Sequence, residues 1–150
     1  MAAGDIVVFM QAKVDLGNKV WNLETDVVKL ALITNAVTPT ETDPAPHWQG
    51  TGTTNFNTNE VTPGGNYTAE GMTVANNVFI AASPNAKFDG DDITIAQHAS
   101  NPTNARWGIL YNDTDASKRC IGYLDLGGVK DLTTGAFTVT WAGAGIFTLS

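Results

Sequence analysis

Two histidines, a short run of aspartates and one cysteine are the residues whose types could do chemistry, and their spacing decides how much. His47 stands in Pro46-His47-Trp48, and His98 in Gln97-His98-Ala99. A histidine zinc site of the protease kind needs two imidazoles one helical turn apart with a glutamate between them. Neither histidine belongs to such a motif, so they read as a loop histidine and a polar residue at a strand end. Asp89-Gly90-Asp91-Asp92 looks like the opening of a calcium loop. That loop also needs alternating acidic ligands and a distal glutamate, which are missing here, so a solvated turn is the expectation. Asp113 and Asp115 are read the same way. Gly64-Gly65 and Gly127-Gly128 lack the spacing of a phosphate-binding loop, and no Gly-x-Ser-x-Gly elbow occurs. These residues predict no catalytic group, no metal and no cofactor.

Cys120 is the only cysteine. Alone it makes neither an internal disulfide nor a structural zinc site. It lies in the apolar run Cys120-Ile121-Gly122-Tyr123-Leu124 and reads as a small core residue. Charged residues make up 15% of the chain, against roughly 25% in typical soluble domains. Thr, Asn, Ser and Gly must therefore cover the surface. Such a surface suits a protein that buries much of itself against neighbours, because stripping water from charges is costly. The net charge is −7, with 8 Lys and Arg and no basic run. Phosphate backbones and anionic lipid repel such a chain, which argues against nucleic-acid and membrane partners. The run Ile6-Val7-Val8-Phe9-Met10 follows acidic Asp5 and is cut short by Lys13 and Asp15, so a signal peptide is not expected. Synthesis in the cytoplasm is the expectation.

These residues must be carried by short strands. Val27 to Thr34 is rich in aliphatic and β-branched side chains and reads as a core strand, preceded by turn residues from Asn22 to Asp26. Pro63-Gly64-Gly65-Asn66-Tyr67 is a turn. Gly71 to Ile80 reads as a strand with Met72, Val74, Val78 and Phe79 towards the core, then a turn over residues 84–91. Asp92 to Ala96 is a short alternating strand. Ala105 to Tyr111 and Cys120 to Leu126 predict a hairpin around the Asx-rich turn of residues 112–117, closed by Gly127-Gly128. Ala136 to Trp141 alternates with Phe137, Val139 and Trp141 on one face, and Ile146 to Leu149 ends the pattern. Roughly seven or more short strands at intervals of roughly ten residues predict a mainly β chain, a single-domain β-sandwich or jelly-roll-like barrel. Residues 5–17 fit both an alternating strand and a helix capped by Asp5 and Gly17. A short helix or mixed arm is the favoured reading.

Residues 35–59 are the segment least like a strand. Pro39, Pro44 and Pro46 lack a ladder N–H, and Thr, Asn and Gly fill much of the rest. A loop of this length is usually functional or a contact arm. Trp21 and Trp48 lie outside the clear strands and read as anchors, into the domain's own core or across a subunit boundary. Trp21, Pro44, His47, Trp48 and Phe56 are therefore the candidate partner contacts, with residues 1–20 as a second contact arm. On this reading, deleting residues 40–56 removes binding and spares the fold. A carbohydrate-binding β-sandwich, stacking sugars on Trp48 and Tyr67, is the alternative from another class.

Ordered pieces along the chain carry a resemblance. They are residues 22–32, Glu60-Val61, Asn66 to Met72, Ala105 to Asp113, Ile121 to Gly128, Phe137 to Trp141, and Gly145-Ile146-Phe147. Together they resemble the small virion proteins of tailed phages, of the head decoration or cement type. The N-terminal arm and residues 35–59 match least. The resemblance implies a β-rich fold, self-association as a homotrimer, the major capsid protein as partner, a place on the capsid surface of the virion, and no catalytic residue. Related small β-proteins also sit in tails and necks, which leaves that placement as an alternative.

Overall fold

A computed structural model describes residues 6–150. It is mainly β, with 41% strand and 8% helix. The chain opens with β1 (Val7–Val8) and α1 (Met10–Gly17), then β2 (Val28–Ile33). The excursion holds β3 (Pro46–His47), β4 (Thr54–Asn55) and a 3-10 turn over Phe56–Asn59. Next come β5 (Met72–Thr73), β6 (Val78–Ala82), β7 (Asn85–Asp89) and β8 (Ile93–Ile95). The long hairpin is β9 (Ala105–Asn112) and β10 (Cys120–Lys130), followed by β11 (Phe137–Val139) and β12 (Phe147–Leu149).

The largest sheet has the order β1-β10-β9-β2-β5 and is antiparallel throughout. Its middle strands β9 and β2 are buried along nearly their whole length. That is why Val28 to Ile33 and Ile109 to Tyr111 are continuous apolar runs and not alternating ones: both faces are covered. On one face, Trp48 stacks on Tyr111 with ring centroids 5.2 Å apart, and Phe9 lies 5.4 Å from Tyr123. Phe56 stacks on Phe9 in turn, at 5.8 Å. Two smaller antiparallel sheets, β11-β8 and β12-β7-β6, add Phe137, Val139, Ile93, Ile95, Phe88 and Phe147 to the same core. β3 and β4 form a short parallel pair. Cys120 is a buried core residue, as its apolar surroundings predict.

Several boundaries differ from the sequence reading. The expected strand from Gly71 to Ile80 is two strands, β5 and β6, separated by a bend at Ala75 to Asn77. Asn77 makes the bend useful: its Nδ2 donates to the carbonyls of Leu23 and Asp26 and ties the bend to the turn before β2. The expected turn at 84–91 shrinks to Ser83-Pro84, and Asn85–Asp89 is a strand that buries Phe88. Gly127 and Gly128 do not end β10. They take φ of 71° and 132° inside a register shift, after which Lys130 pairs with Ala105. Only glycine adopts such a pair of angles without strain, which makes it a bulge residue here and not a stop. The N-terminal arm is mixed, one short strand and one helix. α1 begins after Phe9, with no side-chain cap; the cap expected at Asp5 lies outside the described residues.

Candidate assembly surfaces

The excursion at 35–59 is where the structure departs most from expectation. Trp48 and Phe56 are fully buried, and His47 and Trp21 are buried as well. Of the five candidate contacts, Pro44 alone is exposed. Proline-rich backbone that cannot join a ladder predicts an outward arm, yet here its aromatics fill the face of the large sheet. The backbone of Trp48 is pinned from both sides, its N–H donating to Lys118 O at 2.7 Å and its carbonyl accepting from Asn57 N–H at 2.9 Å. Deletion of residues 40–56 would therefore remove core, not a detachable clamp. The sugar-stacking alternative loses its residues in the same way. Trp48 is under Tyr111, and Tyr67 is buried with its hydroxyl donating to Glu60 Oε1 at 2.9 Å and accepting from Leu32 N–H at 2.9 Å.

The acidic groups hold turns. Asp92 Oδ1 accepts the Trp141 N–H, Asp91 O accepts the Trp141 Nε1–H, and Asp91 Oδ2 accepts from Asn76. Asp113 meets Lys29 at 2.9 Å and also pairs with Lys118. Burial pushes its carboxyl up, but the two ammonium groups outweigh that and hold it below its ordinary value. Asp115 caps the same turn through Ser117 N–H and pairs with Arg119. His98 is exposed, and its Nδ1 accepts the Ser100 N–H. Among the described residues, no group of three or more His, Cys, Asp or Glu is placed to hold a metal ion.

The exposed apolar side chains among the described residues include those on two elements that face outward. The first is α1. Its Met10 and Val14 are 53% and 50% exposed, whereas Asp15 is buried. Residues four apart share one helix face, so Met10 and Val14 stand together at the surface beside exposed Gln11 and Lys13, while Ala12, Asp15 and the half-buried Leu16 face inward. Asp15 is held there by Gln11 Nε2, 3.1 Å from its Oδ1, with Arg119 Nε 3.9 Å from Oδ2. The helix start is fastened to the excursion: Met10 N–H donates to Glu41 O at 2.9 Å, and Lys13 pairs with Glu41 at 2.6 Å. That pair neutralises Lys13, and the exposed turn that ends at Pro44 follows directly.

The second surface is the β6 edge of the three-stranded sheet. Among the described residues, no strand pairs with its outer side. Its sequence Val78-Phe79-Ile80-Ala81-Ala82 carries no charge, and Ile80 is 45% exposed. A groove of about 610 Å³ opens beside it, lined by Phe79, by the apolar Leu16, Val20, Trp21 and Leu23, and by the charged Lys19, Glu24 and Asp26. The α1 surface lies within residues 1–20, the contact arm expected from the sequence, whereas the β6 edge carries no such signal. Apolar residues in a short helix or strand predict a buried face, and only the packing shows which apolar face is left over.

No family model matches the chain, and neither a curated protein nor a solved structure matches it.

Proposed function

We propose that this chain is a structural virion protein of the capsid-decoration type, which associates with copies of itself and clamps neighbouring subunits of the major capsid protein. The observation that carries the reading is the exposed pair Met10 and Val14 on α1. Met10 and Val14 lie exposed on one side of this helix, while Asp15 is buried on the other together with Ala12. Exposed apolar patches of this kind mark contact sites. The low charge of the chain supports the same reading, as does the family resemblance, which implies a trimer on the shell surface. On a lattice of identical subunits each copy needs only a modest contact, because many contacts act together.

Co-sedimentation with empty shells tests this. The protein is expected to pellet with shells, and the double variant Met10→Glu, Val14→Glu to stay in the supernatant with an unchanged melting temperature. A wild-type protein that ignores shells overturns the reading. A double variant that still pellets moves the contact away from α1.

A further inference from the structure

We infer that the β6 edge pairs with the β6 edge of a second copy, antiparallel about a two-fold axis at Ile80, to make one continuous six-stranded sheet. This rests on the reading of the chain as self-associating and names the contact. The backbone geometry comes first. Ile146 N–H donates to Phe88 O at 2.8 Å, so the Phe88 carbonyl faces β12. Phe88 is opposite Phe79 in the β6–β7 register. In an antiparallel pair, opposed residues bond to each other or turn their groups away from each other, alternately along the strand. Phe79 and, two residues on, Ala81 therefore direct their N–H and C=O groups to the open side. These groups lie symmetrically about Ile80. An edge with that arrangement is complementary to itself: Phe79 of each copy meets Ala81 of the other, and all eight outward groups of the two strands are satisfied, while Ile80 faces its own counterpart.

Charge selects a second copy as the occupant. Copies of a chain with net charge −7 repel one another over most of their surface. Residues 71–86 contain no charged side chain. The nearest charges on the neighbouring strand, Lys87 and Asp89, pair with each other at 2.7 Å. Unprotected edges are normally blunted by charge, proline or a bulge within the strand, and β6 carries none of these. Ile80, nearly half exposed, is covered only when the edge is paired. Such a contact is two-fold and does not itself build a trimer. On a shell it joins copies that belong to neighbouring trimers.

Light scattering on the purified chain without shells separates this contact from capsid binding. Ala81→Pro deletes an N–H that faces outward and leaves the bonds to β7 intact, as proline on an edge strand does. Ile80→Lys places a charge at the axis. The wild-type mass is expected to be twice that of either variant, with all three melting alike at low concentration. Register is read by cysteine. Residues in a non-hydrogen-bonded antiparallel pair lie about 4.5 Å apart at Cα, within disulfide reach. Ile80→Cys is therefore expected to form a disulfide-linked dimer on mild oxidation, whereas Thr148→Cys, exposed on the same sheet, stays reduced. Equal masses for wild type and Ala81→Pro, or cross-linking as efficient at residue 148 as at residue 80, overturns the inference. Shell binding bears on the proposed function alone, so the two readings fail separately.

Discussion

Tyr67 shows how one side chain can finish what a strand leaves undone. β5 covers β2 only at Lys29 and Leu30. Beyond it, the Tyr67 hydroxyl receives the Leu32 N–H and passes its own proton to Glu60, which also accepts the Glu70 N–H at 2.7 Å. Burial raises the Glu60 carboxyl above its ordinary value, and these two donors pull it back. Tyr67→Phe strands the buried Leu32 N–H and leaves the half-buried Glu60 carboxylate with the Glu70 N–H alone. The expected loss is about 1–3 kcal/mol, read from urea unfolding. His47 is the second residue with a measurable consequence. Burial lowers its pKa, and Arg119 lowers it further against the opposing pull of Asp115 and Asp15. A histidine held below its unfolded value of 6.5 binds fewer protons folded than unfolded. Its contribution is intact above about pH 6.5 and is lost as pH falls from there through the lowered folded value. The melting temperature is expected to fall between pH 7.5 and pH 5, and to fall less in His47→Gln over the same range.

The element that matters most is the excursion at residues 35–59. It serves as the lid of the large sheet, with Trp48 on Tyr111 and Phe56 on Phe9. Trp48→Ala is expected to cost about 3–5 kcal/mol, measured by denaturant unfolding, and this is a large part of a typical domain's stability. Deleting residues 40–56 is expected to give a chain without a cooperative melt in circular dichroism. The arm that remains for contact is α1, whose exposed face adds little to stability. Met10→Glu with Val14→Glu is expected to shift unfolding by less than about 0.5 kcal/mol per site. The β6 edge, by contrast, overlaps only the end of the strand expected over residues 71–80, and its pattern looks the same whether the sheet continues or stops there.

At the scale of the whole molecule, charge sets when copies meet. With net charge −7, subunits repel at low ionic strength. Screening shortens the reach of that repulsion, with a Debye length of about 30 Å at 0.01 M and about 8 Å at 0.15 M. The uncharged β6 edge is indifferent to salt. Self-association is therefore expected to strengthen from 10 mM to 150 mM salt, seen as a rise in mass by light scattering. Contacts made by ion pairs across the interface would weaken over the same range. On the proposed reading, the acidity keeps free copies apart and the β6 edge supplies the attraction once they are close.

Sequence alone was sufficient for the mainly β class, the core strand of residues 28–33, the long hairpin of β9 and β10, the alternation at Phe137 to Trp141, and the turns at residues 22–26, 63–67 and 112–117. These features are local: alternation, β-branched runs and Asx or Gly-Pro chemistry act over a few residues and carry their own physical reason. The tertiary structure decided which apolar residues stay outside. Trp48 and Phe56 look like contact anchors in a proline-rich loop, but the large sheet needs a cover and this loop supplies it. Met10, Val14 and Ile80 are apolar, yet the fold leaves all three exposed. Burial is settled by which surfaces compete for the same space, and no stretch of a few residues records that competition.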